Sequence, residues 1–278
     1  MGSSPTVLFV FYAFIMNTLF GYKLQMDFQD RIRIWKDTKE YCNQSTIRPS
    51  QTLKYTNNEI HPLPKRFMLT KLSVVNQDCI ECGLEHKFHN PLVLNLADDT
   101  FPGGAVELGS GAQEESIFRR TNIHKSLNIS FYPLKEDECL YTPEVHVLKN
   151  EDGTYKEHID ILSFISMAGI RIPPLISGHL NAQDYDRLKT KFHTILRVAF
   201  SHNHQTIIMG AIGCGAWKNP PDDVARCFME VFREGEYDGC FREIVFAVLE
   251  VPNGSYMIRS HNRSKKTNYE IFKSIIRI

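Results

Sequence analysis

Asn95-Leu-Ala-Asp-Asp-Thr-Phe-Pro-Gly-Gly-Ala-Val-Glu-Leu-Gly-Ser-Gly-Ala-Gln-Glu-Glu-Ser-Ile-Phe-Arg-Arg-Thr121 is the stretch around which the chain is organised. The apolar run Leu92 to Leu96 feeds into it and reads as a buried strand. Phe101-Pro102-Gly103-Gly104 breaks that strand, because proline fixes φ and glycine admits positive φ. A second small-residue cluster, Gly109-Ser110-Gly111-Ala112, leads into Gln113-Glu114-Glu115 and a helix-like run. A strand, a glycine loop and a helix start form the arrangement in which backbone N–H groups face a bound anion.

Each part also has a plainer reading. Gly-Gly after a strand is commonly only a turn, and neither a GxGxxG fingerprint nor a GxxxxGK[ST] phosphate loop is present. Glutamates at a helix start commonly serve its dipole, and Gln113 and Glu114 fit capping-box positions after Ser110 or Gly111. The conjunction is more informative: two adjacent carboxylates beside an anion-binding loop suit glycosidic chemistry next to a diphosphate.

A second strand–loop–helix unit follows at Gln205-Thr-Ile-Ile-Met-Gly-Ala-Ile-Gly-Cys-Gly-Ala-Trp-Lys-Asn-Pro-Pro221. A buried strand runs into Gly213-Cys214-Gly215-Ala216-Trp217, and Pro220, Pro221, Asp222 and Asp223 open a helix over 224–233. Two such loops on strands of one sheet weaken the reading of either as a mere connection. Cys214 has no base beside it in sequence and reads as small and structural.

The first stretch resembles the signature of the microbial-type poly(ADP-ribose) glycohydrolases, a branch of the macrodomain superfamily: three glycines, a short spacer, then Gln-Glu-Glu. Here Gly103-Gly104-Ala105 is followed by Val106 to Ala112 and then Gln113-Glu114-Glu115, so Ala105 stands where the family has its third glycine. A methyl group there costs little if φ is negative and about 1 kcal/mol or more if it is positive. The flanks Val93 to Ala97 and Ser116 to Arg120 also resemble the family, as does Gly-x-Gly-Ala plus an aromatic before Asn219-Pro220.

The resemblance implies an α/β fold, a macrodomain-like three-layer α/β/α sandwich with a mixed central sheet, covering residues 65–278. It implies hydrolysis of ribose–ribose O-glycosidic bonds in poly(ADP-ribose), releasing ADP-ribose. Glu115 is then the acid that protonates the departing ribose oxygen and later deprotonates water, its protonated form favoured by burial and by the neighbouring acid. Glu114 orients ribose hydroxyls. Gly103, Gly104, Ala105 and Val106 supply the first ligand loop, Gln113 and Asn95 contact the ligand, and Gly213, Cys214, Gly215, Ala216 and Trp217 wrap the other phosphate. Phe246, on the strand Ile244 to Leu249, is the family-based candidate for an aromatic beside ribose or adenine, although an alternating core strand explains it equally well. No cofactor and no metal are expected, since the leaving oxygen needs a proton donor more than a Lewis acid. Partners are poly(ADP-ribose) or ADP-ribosylated proteins as substrate and ADP-ribose as product. Two rivals stand beside this: a non-catalytic ADP-ribose-binding module, and a hydrolase of another ADP-ribose derivative.

Composition is compatible with this. With 278 residues the chain can bury a large core, and 32 acidic against 32 basic residues give no global field for nucleic acid, so no sequence-specific nucleic-acid contact is expected and a monomer is. Seven scattered cysteines do not form a disulfide framework, which points to a reducing compartment, cytoplasm or nucleus. Residues 1–25 hold an apolar run, Val7 to Phe20, that is shorter than a membrane span and follows no Lys or Arg. It is expected to be an anchor, signal-like or extra, with Met26 a possible natural start and membrane attachment left open.

Elsewhere, residues 26–64 read as an accessory helical region whose tail, Ile47 to Asn58, is a loop. Arg66 to Asn76 reads as a strand, Asp78 to His89 as a helix, Ser116 to Leu127 as a continuing helix, and Ile159 to Met167 as a doubly covered strand. Asp184 to Ser201 is helical by its spacing, and Asn268 to Ile276 is an amphipathic closing helix. Cys79, Cys82, His86 and His89 have zinc-like spacing, but the same spacing describes one face of a helix.

Overall fold

The computed structural model describes residues 26–56, 63–234, 237–250 and 266–277. The apolar segment 1–25 therefore lies outside the described residues. Among those described, no helix is long and apolar enough to cross a membrane.

Seven strands form one mixed sheet: β1 (Leu53–Tyr55), β2 (Lys71–Val75), β3 (Pro91–Ala97), β4 (Cys139–Lys149), β5 (Tyr155–Ala168), β8 (Thr206–Met209) and β9 (Glu243–Ala247). Their order is β1-β4-β5-β3-β8-β9-β2. The five strands from β5 to β2 run parallel, while β4 is antiparallel to both β1 and β5. Leu175–Ile176 (β6) and His179–Leu180 (β7) make a separate small hairpin. Because β5, β3 and β8 are parallel neighbours, the turns after their last residues emerge at the same edge of the sheet. That topology brings the two glycine loops together.

Side-chain alternation along β3 builds the three layers. Leu92 and Leu94 face a core made with Phe192 and Ile195 of α4 (Ala182–Ser201), Phe228 of α5 (Pro221–Arg233) and Phe272 of α6 (Asn268–Ile275). Val93 faces the opposite core with Trp35 of α1 (Phe28–Gln44), Ile80 and Cys82 of α2 (Cys79–Glu85), and Ile117 and Phe118 of α3 (Gln113–Arg120). Asn95, two residues after Val93, therefore points toward α3.

Local chemistry sets the helix starts. Asp27, Asp78 and Asn181 cap α1, α2 and α4 through side-chain oxygens, and Thr267 with Glu270 forms a capping box on α6. Pro221 opens α5, where a missing N–H costs nothing.

Two expectations change. The tail of the N-terminal region is not all loop: Leu53 to Tyr55 extends the sheet as β1, with the Thr52 and Thr142 hydroxyls paired at 3.0 Å. The helix from Ser116 does not reach Leu127. It ends at Arg120, because Thr121 turns extended and bridges Val147.

α1 is fastened to the back of α3. Thr38 Oγ1 donates to the Arg119 carbonyl at 2.6 Å, and the fully buried Lys149 reaches Asp37 Oδ2 at 2.5 Å and the Ile34 carbonyl at 3.1 Å. Cys79 and Cys82 are buried in the core, His86 Nδ1 lies 2.8 Å from the Cys82 carbonyl, and no metal-holding group of three His, Cys, Asp or Glu occurs among the described residues.

Candidate active site

The site forms where the turns after β3, β5 and β8 meet. In the first turn Gly103 has φ +82° and Gly104 φ +51°, so both glycines are required by the backbone. A Cβ on Gly103 would lie 2.5 Å from the Phe118 ring, and one on Gly104 would lie 2.9 Å from Glu115 Oε1. Ala105 has φ −97°, a conformation open to any residue. The missing third glycine therefore causes no backbone strain.

Glu114 and Glu115 occupy the first turn of α3 and are both buried. Glu114 Oε1 accepts from Asn95 Nδ2 at 3.3 Å and from the Gly103 amide at 3.2 Å, and Oε2 accepts from the Asp98 amide at 2.8 Å. Glu115 Oε1 accepts from the Ala105 amide at 3.1 Å. Burial, offset in part by the Asp98 N–H bond and reinforced by the neighbouring Glu115 charge, pushes the Glu114 carboxyl up to about 8. Near neutral pH Glu114 therefore retains its proton.

Asn95 is fully buried between Glu114 and Ser166, its parallel neighbour on β5, with Nδ2 3.0 Å from Ser166 Oγ. It aims Glu114. Gln113 departs from its expected ligand contact: Oε1 accepts from the Leu96 amide at 2.8 Å and Nε2 donates to the Leu94 carbonyl at 2.7 Å. Both ends of the amide are committed to β3, so the side chain anchors the start of α3. Val106 is also turned inward, into the core around Trp35 and Phe118. The amides of Gly103 and Ala105, expected to face a phosphate and ribose, hold the two glutamates instead.

The second loop is built on Asn219. Its buried Nδ2 donates to the carbonyls of Ile170, Gly213 and Trp217 at 2.6, 3.2 and 3.2 Å, and Gly213 has φ +71° with no room for a Cβ beside Asn219. Among the described residues the N–H groups of Gly215, Ala216 and Trp217 have no acceptor, which leaves successive backbone donors for an anion. Cys214 is buried, its thiol pushed up by burial and turned toward the Ile212 carbonyl. It is structural. The start of α5 is less open than expected: Pro220 and Pro221 lack N–H groups, and Asp223 in its first turn already accepts from the Leu180 amide at 2.8 Å and pairs with His179 at 2.9 Å. The anion cradle is therefore the loop itself.

Phe246 is not at the site. It is fully buried on β9, edge-on to Phe228 at 4.7 Å and packed against Phe272. An apolar alternating strand explains it completely.

Residues missed from the sequence sit at the ends of β3 and β5. Arg171 pairs with Asp98 at 2.9 Å and with Asp99, and stacks 4.4 Å from the Trp217 ring centroid. Its guanidinium holds the Asp99 carboxyl below the usual carboxylate range. Charged residues within three positions of the ends of parallel strands were the available signal.

An α/β sandwich with paired glycine turns over a carboxylate pair defines a macrodomain-like class. Residues 26–150, which hold the first loop and Gln113-Glu114-Glu115, match the family model described as microbial-type PARG, catalytic domain. The fold is shared with solved structures. It is similar to poly(ADP-ribose) glycohydrolase from Thermomonospora curvata, 20% identical, with a TM-score of 0.75 over 88% of this chain and 98% of that one. That enzyme bound to the inhibitor ADP-HPD is 21% identical, with a TM-score of 0.70 over the same shares, 88% and 98%. Poly(ADP-ribose) glycohydrolase from Deinococcus radiodurans in complex with ADP-ribose is 22% identical, with a TM-score of 0.66 over 80% and 93%. No curated protein matches the chain.

Proposed function

We propose that the chain is a poly(ADP-ribose) glycohydrolase that cleaves ribose–ribose O-glycosidic bonds and releases ADP-ribose, with Glu115 as general acid and base. One observation carries the reading. Two buried, adjacent carboxylates close onto the first glycine turn, beside a second turn in which the amides of Gly215, Ala216 and Trp217 have no acceptor among the described residues.

In this reading the amides of Gly215 to Trp217 hold a phosphate of the pyrophosphate, which presents the sugar–sugar linkage to the carboxylate pair. Glu115 protonates the departing ribose oxygen as positive charge develops at the anomeric carbon. It then takes a proton from the water that attacks that carbon. Glu114 orients ribose hydroxyls, and burial keeps its own carboxyl protonated near neutrality. Asn95 acts by holding Glu114.

The same reading treats residues 65–278 as the catalytic domain, with 26–64 as its accessory region, working as a monomer in the cytoplasm or nucleus without sequence-specific nucleic-acid contact. The balanced charge supports that last point.

The test is turnover by the full chain of three substrates: poly(ADP-ribose), a mono-ADP-ribosylated protein and ADP-ribose 1″-phosphate. Release of ADP-ribose from the polymer supports the proposal. Turnover of only one of the other two would transfer the site to a different ADP-ribose derivative. ADP-ribose binding without any turnover would make the protein a reader.

A further inference from the structure

Arg171 lies three residues beyond the end of β5 and reaches two other turns at once. Its guanidinium binds Asp98 at 2.9 Å and also Asp99 on the first turn, and it lies 4.4 Å from the centroid of the Trp217 ring on the second. The backbone reinforces the bridge, since the Ile172 amide donates to the Trp217 carbonyl at 3.1 Å. Ile172 has φ +45°, a left-handed conformation that β-branched residues avoid, so neighbouring contacts hold this segment against its own preference. The turn is also crowded against the second loop: a Cβ on Gly169 would lie 2.8 Å from Gly213 Cα.

The contacts continue inward. The Asp98 residue that binds Arg171 through its side chain donates its amide to Glu114 Oε2 at 2.8 Å. Trp217, Arg171, Asp98 and Glu114 thus form one connected series, from the loop with free amides to the carboxylate pair.

We infer that Arg171 is a positioning residue that ties the two glycine turns together. The ion pair is 45% exposed on the arginine side, and such a pair adds little to global stability. Its effect falls instead on the relative placement of the turns. A guanidinium that is both forked to carboxylates and stacked on indole is not replaced by lysine, which offers a point charge without the plane.

The kinetic part of the test rests on the proposed function; the exchange part does not. Full-length wild type, Arg171→Ala and Arg171→Lys are compared without ligand by amide hydrogen exchange, and with ligand by titration of ADP-ribose and by poly(ADP-ribose) kinetics. Both variants should exchange faster in residues 98–105 and in 213–219, while the melting temperature stays close to wild type. The ADP-ribose Kd and the polymer KM should rise roughly tenfold, with a smaller change in kcat, as expected for misplaced binding groups. Unchanged exchange in either segment would overturn the inference, as would full rescue of Kd and KM by lysine. A wild type that neither binds nor cleaves would refute the proposed function, and the exchange result would still decide the role of Arg171.

Discussion

The amide of Ala105 donates to the carboxylate of Glu115 at 3.1 Å, across the tightest point of the first glycine turn. The residue that departs from the family's glycine thus contributes through its backbone, in a conformation any side chain tolerates (φ −97°). Ala105→Gly should leave turnover within about twofold and lower stability by at most about 1 kcal/mol, through added freedom in the unfolded chain. Steady-state kinetics and urea denaturation check both.

Gly104 is the contrasting position. With φ +51° and an added Cβ 2.9 Å from Glu115 Oε1, Gly104→Ala strains the turn and displaces the acid together. Turnover should fall by about two orders of magnitude, the scale of a misplacement near 1 Å. An active Gly104→Ala enzyme would mean that the turn does not set the position of Glu115.

Glu114 predicts a pH dependence of stability. Its folded carboxyl titrates near 8 and its unfolded value is 4.5, so between those values the unfolded chain has already released the proton that the folded chain retains. Its contribution is fully present below about pH 4.5, declines as pH rises, and is lost above about 8. Thermal melts of wild type and Glu114→Gln across this window should show a steeper decline in the wild type. Parallel curves would contradict the assignment.

The N-terminal helix should be needed for full stability. Asp37→Ala leaves the fully buried Lys149 ammonium with the Ile34 carbonyl as its remaining hydrogen-bond acceptor, and the loss of one charged hydrogen bond costs about 2 kcal/mol. A fall of several degrees in Tm is expected, read by calorimetry. Unaltered melting would show that the Asp37–Lys149 contact adds nothing to the hold on α1.

Much of this arrangement was legible because local signals agreed. A continuous apolar run followed by Phe101-Pro102-Gly103-Gly104 marks β3 and its turn, and the Gly213 to Asn219 segment repeats the pattern, so two ligand-side turns could be read before their adjacency was known. What escaped depends on strand order. Arg171 lies 73 residues from Asp98 in sequence, and only the pairing of β5 beside β3 brings them together. β1 escaped because a three-residue edge strand is defined by its partner β4 rather than by its own pattern. Phe246 and Gln113 show the reverse error, since a family-based role says nothing of which way a side chain turns. Phe246 faces the α5–α6 core, and Gln113 spends both amide groups on β3.

The most direct measurement is single-turnover cleavage of poly(ADP-ribose) by wild type and Glu115→Gln, paired with calorimetric titration of ADP-ribose into each. Glutamine, which keeps an acceptor for the Ala105 amide but has no acidic proton to give, should retain ADP-ribose binding and lose at least about two orders of magnitude in cleavage. Cleavage by Glu115→Gln at the wild-type rate, with binding intact, would contradict the role of Glu115.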